Sequence, residues 1–212
     1  MNKEKISIII CCAGLGSRLE IGTTKALLDI HGKPLILHQL DLLKEFDDIR
    51  IVIGHQAKKV IDVVKAYRKD IMFVFNYEYA NTGPAASLSK GLLGAREYII
   101  SMDGDLIIKP EDFQKFIEFE KECIAVSKIY SEYPIKVKIE NGKVIKFKSN
   151  SEFEWTGLAK VKTSRLQTAT TNIYDMLEPL LPLPTIYIES HGIDTKLDYN
   201  DTLKWIEKGY KK

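Results

Sequence analysis

The sequence predicts an α/β fold built on a mixed, mostly parallel sheet with helices on both faces. Three observations carry this expectation. The first 76 residues alternate apolar strand-like runs with amphipathic helical stretches. Ile6 to Cys12 is a continuous apolar run, as expected of a central parallel strand buried on both faces. After Cys123 the texture changes to short alternating runs, with Asn141-Gly142 as a hairpin signal.

In chain order, Ile6 to Cys12 is the first strand, and the loop Ala13 to Thr24 follows it. Ala26 to Ile30 reads as a short extended piece, and His31-Gly32-Lys33-Pro34 as a turn. Pro34 to Phe46 has helical spacing, with Pro34 suited to a first turn. Ile49 to Gly54 and Ile71 to Asn76 are strands. Between them Ala57 to Arg68 is a helix with Val60, Ile61, Val63, Val64 and Tyr67 inside. A small-residue loop, Asn81 to Leu88, opens a helix reaching about Ala95. Tyr98 to Asp105 is an apolar strand ending in two carboxylates, and Pro110 to Glu122 is a helix. Ile124 to Tyr130, Ile135 to Glu140, Val144 to Phe147 and Phe153 to Val161 read as antiparallel strands that make the sheet mixed. Thr171 to Leu181 is expected to be helical, Thr185 to Glu189 a strand, and Asp198 to Tyr210 a closing helix anchored by Leu203, Trp205 and Ile206.

Composition bounds the function. A formal net charge of +2 spread along 212 residues argues against a nucleic-acid or membrane-surface partner. No apolar stretch reaches the roughly 18 residues of a membrane span. No signal peptide is visible at the N-terminus. Three cysteines form an odd count at no metal-like spacing, which fits buried thiols in a reducing compartment. The expected location is cytoplasmic.

Two stretches carry chemistry. Ala13-Gly14-Leu15-Gly16-Ser17-Arg18, with Lys25 seven residues beyond Arg18, places exposed backbone N–H groups and two cations at a strand end. That suits a polyphosphate. The third glycine of a dinucleotide fingerprint is Leu19, and no Walker lysine follows, so both of those motifs are excluded. A glycine turn with two surface cations is the alternative for the loop. Asp103-Gly104-Asp105 at a second strand end suits a hard divalent cation, with an ordinary Asp turn as the alternative. Together they form the two halves of a metal-assisted phosphoryl or nucleotidyl transfer site.

These residues resemble the opening of the bacterial nucleotidyltransferases that join an NTP to a phosphorylated alcohol or sugar. The likeness runs from the Gly-rich loop through Lys25-Ala26-Leu27-Leu28-Asp29-Ile30-His31-Gly32-Lys33-Pro34. It continues at Gly83 to Leu88, Asp103-Gly104-Asp105, Trp155-Thr156-Gly157 and Ile193-Asp194-Thr195. Within the family the chain looks most like the CTP:phosphocholine cytidylyltransferases of bacterial surface-polymer pathways. The resemblance implies a Rossmann-like, GT-A-like nucleotidyltransferase domain over 1–212, with a nucleotide-binding half (1–122) and an acceptor-binding half (123–212). It implies Arg18 and Lys25 as catalytic cations. Ala13, Gly14, Leu15, Gly16, Ser17, Asn81, Gly83, Ala85, Ser87 and Asp103 would bind nucleotide, within a base and ribose wall running from Asn76 to Ser87. Trp155, Thr156, Gly157 and Lys148 would meet the acceptor, and Asp105 and Asp194 would hold Mg²⁺. Trp155 could face a quaternary ammonium or serve as a core or lid residue. The implied partners are an NTP, with CTP expected, and a small phosphomonoester; a homodimer stays open.

The sequence departs from the family pattern in places. Thr24 stands where a proline is usual. Gly192 stands where the second metal carboxylate often lies, which leaves Asp194 or Glu189 to replace it, or a weaker metal site. Pro84-Ala85-Ala86 leans toward the sugar-phosphate relatives. The rivals are therefore a sugar-1-phosphate nucleotidyltransferase using UTP, GTP or CTP, a nucleotide-sugar glycosyltransferase, and an inactive nucleotide-binding regulator.

Overall fold

A computed structural model of the chain describes residues 2–16, 19 and 22–210. Its strands are β1 (Ile6–Cys12), β2 (Asp29–Ile30), β3 (Lys33–Pro34), β4 (Ile49–Ile53), β5 (Ile71–Phe75), β6 (Tyr98–Asp103), β7 (Leu106–Ile108), β8 (Cys123–Lys128), β9 (Val137–Glu140), β10 (Lys143–Phe147), β11 (Phe153–Lys162), β12 (Leu183–Tyr187) and β13 (Ser190–Gly192). The α-helices are α1 (Leu35–Leu42), α2 (Ala57–Tyr67), α3 (Pro84–Gly91), α4 (Pro110–Glu118), α5 (Ile173–Leu177) and α6 (Lys196–Glu207). Nine strands form one mixed sheet in the order β5-β4-β1-β6-β11-β8-β12-β10-β9. The first four run parallel. β11 is antiparallel to both β6 and β8, and β12 returns parallel to β8.

The alternation of side chains in β1 explains the layers. Ile8 and Ile10 pack with Ile36 and Leu40 of α1, Val60 and Val64 of α2 and Phe116 of α4. Ile9 faces the other way, onto Leu88 of α3 and Ile173 and Leu177 of α5. Both faces are thus covered by helices, which is why β1 carries no polar face. A third cluster joins Leu28, Ile30 and Leu35 to Ile107, Ile193 and Trp205, seating α6 beside β7 and β13. His191 of β13 stacks on Trp205 at 4.2 Å between ring centres. Its burial, partly opposed by Asp201 and Asp198, lowers its pKa to about 4. Among the described residues no helix is long and apolar enough to cross a membrane.

Several elements differ from expectation for identifiable reasons. The Ala26 to Ile30 segment opens as a 3₁₀ turn over Lys25–Leu27 and only then extends. Helix α1 stops at Leu42, and two tight turns, Leu43 N–H to Leu40 O and Phe46 N–H to Leu43 O, still deliver Leu43 and Phe46 to the core. Helix α3 ends at Gly91 rather than near Ala95, and Gly94 adopts φ +67° just beyond it. Helix α4 ends at Glu118, where the buried Lys160 ammonium donates to the carbonyls of Phe116, Ile117 and Phe119. The expected helix over Thr171 to Leu181 shrinks to α5 plus a 3₁₀ turn at Glu178–Leu180. Tyr67 is 45% exposed, and its hydroxyl turns to Asp41. β8 and β11 are buried on both faces instead of half-solvated, because they sit inside the sheet rather than at its margin.

Candidate active site

A cleft of about 480 Å³ opens beyond the C-terminal ends of β1 and β6, the usual ligand position in such sheets. Its first wall is the loop after β1. Ala13, Gly14 and Gly16 line it with Thr24 and Lys25. Gly16 has φ +63°, a left-handed conformation that side chains resist, and a Cβ there would lie 3.3 Å from Lys25 Cγ. Leu15 points out, 45% exposed, and is not part of the lining. Ser17 and Arg18 lie outside the described residues.

The floor is acidic. Asp103 is the last residue of β6 and Asp105 lies in the turn before β7. β7 pairs antiparallel with β13, Leu106 opposite Gly192, and Ile193 N–H donates to Asp105 O at 3.1 Å. This short ladder brings together Asp105, on the near side of β7, and Asp194, just past β13. Between them sits Lys25. Its ammonium donates to Asp105 Oδ2 at 2.7 Å and to Asp194 Oδ1. Burial disfavours the charged lysine, but Asp105 and Asp194 outweigh it and hold the ammonium above its ordinary pKa. Gly192 takes a place in the ladder, while Glu189 faces Lys109 at 3.8 Å, away from the cleft lining.

Asp103 occupies a different environment from Asp105. Its carboxylate lies against Gly157, where φ is +82° and a Cβ would fall 2.4 Å from Asp103 Oδ2. Burial, and then the charge of Asp105, push the Asp103 carboxyl well above its usual range, with Lys25 offsetting part. Asp103, Asp105 and Asp194 bring carboxylate oxygens to this floor, which suits a hard cation. The lysine ammonium between Asp105 and Asp194 shows that the pair accepts positive charge. Among the described residues no group of three or more His, Cys, Asp or Glu is arranged to hold a metal. A cation here would take two protein carboxylates and complete its shell from phosphate and water, the habit of Mg²⁺.

The second wall is organised by Asn76, which is buried at the end of β5. Its Nδ2 donates to Thr82 Oγ1 at 3.2 Å and to Ser87 Oγ at 3.1 Å, and its Oδ1 accepts from Glu78 N–H. Gly83 and Ser87 line the cleft. Gly83 N–H donates to Thr170 O at 2.7 Å, and a Cβ on Gly83 would lie 1.9 Å from Thr171 O. Asn81 is not in the lining, and Ala85, in the first turn of α3, is fully buried.

The far wall joins Tyr133, Ile135 and Trp155 to Asn172, Ile173 and Tyr174. Trp155 is 8% exposed. Its indole N–H is spent on Leu158 O at 3.2 Å, and its ring meets Phe147 edge-on at 5.8 Å. Thr156 turns its hydroxyl to Ala125 O, and Gly157 abuts Asp103. Lys148 does not reach the lining; its Nζ lies 4.4 Å from the centre of the Tyr174 ring. Sequence reasoning missed Tyr133, Ile135 and the 172–174 segment. The capping box of Asn172 with Asp175 was the readable signal there.

Comparisons with known proteins give the family and the fold. The MobA-like NTP transferase domain model matches residues 8–138, more than half of the chain. The bifunctional protein GlmU of Aliarcobacter butzleri is 32% identical over 178 residues, 80% of this chain and 38% of that protein. The GlmU of a Sulfurovum strain is 29% identical over 84% of this chain and 42% of its own length. The chain thus spans well under half of the curated relatives it matches. Among solved structures, the inositol-1-phosphate CTP transferase of T. maritima superposes with a TM-score of 0.79 at 16% identity, covering 100% of this chain and 99% of that one. The CTP:phosphocholine cytidylyltransferase of Streptococcus pneumoniae gives 0.70 at 20% identity, covering 95% and 99%. At such identities the superpositions establish the fold, and the family rests on the domain match. The chain belongs to the MobA-like NTP transferase domain family and is a nucleotidyltransferase by class.

Proposed function

We propose that the protein transfers a nucleotidyl group from CTP to a small phosphorylated alcohol such as phosphocholine. A phosphate oxygen of the acceptor attacks the α-phosphorus, the α–β bridging oxygen leaves, and pyrophosphate is released. The observation that carries this reading is Lys25 held between Asp105 and Asp194 at the mouth of a glycine-lined loop. The attacking phosphate is already an anion at neutral pH, so the chain need supply no general base. Its work is positioning and charge neutralisation.

In this reading the loop Ala13 to Gly16 presents backbone to the triphosphate. Lys25 leaves its carboxylates to meet charge building at the α-phosphorus, with Arg18 as the second catalytic cation. Asp105 and Asp194 would hold Mg²⁺, which when bound would supply charge screening for the phosphate oxygens. Residues 1–122 form the nucleotide half and 123–212 the acceptor half. CTP is favoured because two structural neighbours, the inositol-1-phosphate and phosphocholine enzymes, use it.

A second reading, a sugar-1-phosphate acceptor, draws support from Lys148. Its ammonium lies over the Tyr174 ring, so a resident cation competes for an aromatic face that a quaternary ammonium would want. One experiment separates the two: pyrophosphate release from CTP, UTP, GTP and dTTP against phosphocholine, polyol phosphates and sugar 1-phosphates. Turnover is expected with CTP and a small phosphomonoester. Selective use of sugar 1-phosphates establishes the second reading, and no release from any pair overturns both.

A further inference from the structure

Asp105 does not stand on a regular strand. It sits in a turn, and that turn must resist the pull of a cation or a triphosphate. Two fastenings are already described or lie beside the site. Ile193 N–H donates to Asp105 O, and Gly104 N–H donates to Cys11 O at 3.1 Å. Gly104 lies so close to the end of β1 that a Cβ would fall 2.5 Å from Cys12 Sγ.

The third fastening comes from behind, from α1. Gln39 is 1% exposed. Its Nε2 donates to Asp103 O at 2.7 Å and to Leu106 O at 2.9 Å. Those two carbonyls bracket Gly104-Asp105, so one amide ties both legs of the turn. Two carbonyl acceptors require a donor, which fixes the orientation of the amide. Its Oε1 is then left buried with no hydrogen-bond partner among the described residues. A methionine or leucine would not carry that burden. A side chain that uses its donor twice and strands its acceptor is a poor choice for packing alone. Departures of this kind from local optimality concentrate where function needs them.

We propose that Gln39 is a positioning residue for Asp105, setting the orientation in which that carboxylate meets a divalent cation. The inference rests on the reading of Asp105 as a cation ligand in nucleotidyl transfer. Gln39 touches neither substrate nor cation. It acts through the backbone of the turn, as outer-shell partners of ligating carboxylates do, and losing such a partner typically weakens metal binding about 10- to 100-fold.

The test is Mn²⁺ binding to the full chain, counted by electron paramagnetic resonance without acceptor, followed by turnover against Mn²⁺ concentration. Gln39→Met keeps the length of the side chain and removes the donor. It is expected to bind Mn²⁺ about 10-fold more weakly and to regain wild-type kcat at saturating Mn²⁺. Gln39→Asn, shorter but still a donor, is expected between the two, and it carries the test should Gln39→Met fail to fold. An unchanged Mn²⁺ affinity, or a kcat loss that saturating Mn²⁺ does not restore, overturns the proposal. Asp105→Asn run in parallel separates the failures. If Asp105→Asn loses Mn²⁺ and Gln39→Met does not, only the role of Gln39 falls. If Asp105→Asn binds Mn²⁺ like wild type, the cation reading of the site falls and the role of Gln39 falls with it.

Discussion

The two sides of the cleft are built on different principles. On the side proposed for the nucleotide, the glycine loop and the acidic turn come straight off adjacent parallel strands. Cys11 and Asp103 are register partners across β1 and β6, so the glycine loop and the acidic turn begin one ladder rung apart. On the side proposed for the acceptor, the wall is assembled from the segment before β9, from β11 and from the start of α5. The register of β11 against β8 breaks between Trp155 and Ala159, an irregularity of the kind that re-aims side chains. The first side is made of glycine backbone and charged side chains, which few residue types can replace. The second is made largely of ring faces and apolar shape, which many residue types can supply.

Three substitutions probe that contrast, in falling order of effect. Lys25→Ala removes the cation shared by Asp105 and Asp194. It is expected to lower kcat/KM for both substrates by about 10²–10³, measured by pyrophosphate release. A near-normal rate would place the charge-neutralising group elsewhere. Gly83→Ala acts on the seam between the sides, where a Cβ meets Thr171 O at 1.9 Å. It is expected to cost about 2–3 kcal/mol of stability in urea unfolding and to raise KM for nucleotide and acceptor together. A rise in one KM alone would show that the two walls move independently. Lys148→Ala removes the cation over Tyr174 and is expected to change acceptor KM about two- to fivefold with nucleotide KM untouched. A larger shift in nucleotide KM would assign Lys148 to the other side.

The same contrast governs what could be read in advance. The Ile6 to Cys12 run, the loop after it and the strand ending at Asp103 are each continuous in sequence, and each has a strong local signature. Asp194 could not be told from Glu189 in the sequence, because the pairing that brings it beside Asp105, β7 with β13, joins two three-residue strands far apart in the chain. Neither strand is long enough to show a period. Lys160 misleads for a different reason: its charge reads as surface, yet it is fully buried and satisfied by carbonyls at the end of α4. Trp155, Thr156 and Gly157 sit together in sequence but do three unrelated things, packing in the far wall, bonding to β8 and making room for Asp103. A three-residue motif cannot reveal that division.

The β7–β13 ladder also has a consequence for the order in which the enzyme comes into being. A chain synthesised from its N-terminus folds its early segments first. The loop after β1, the Asn76 network and the turn at Asp105 are made well before Asp194. The carboxylate pair exists only once β13 has docked on β7 and α6 has closed the small core around Trp205. Such long-range pairing is entropically the slowest kind to secure. A nascent chain is therefore expected to acquire a place for the triphosphate early and the means to react it last.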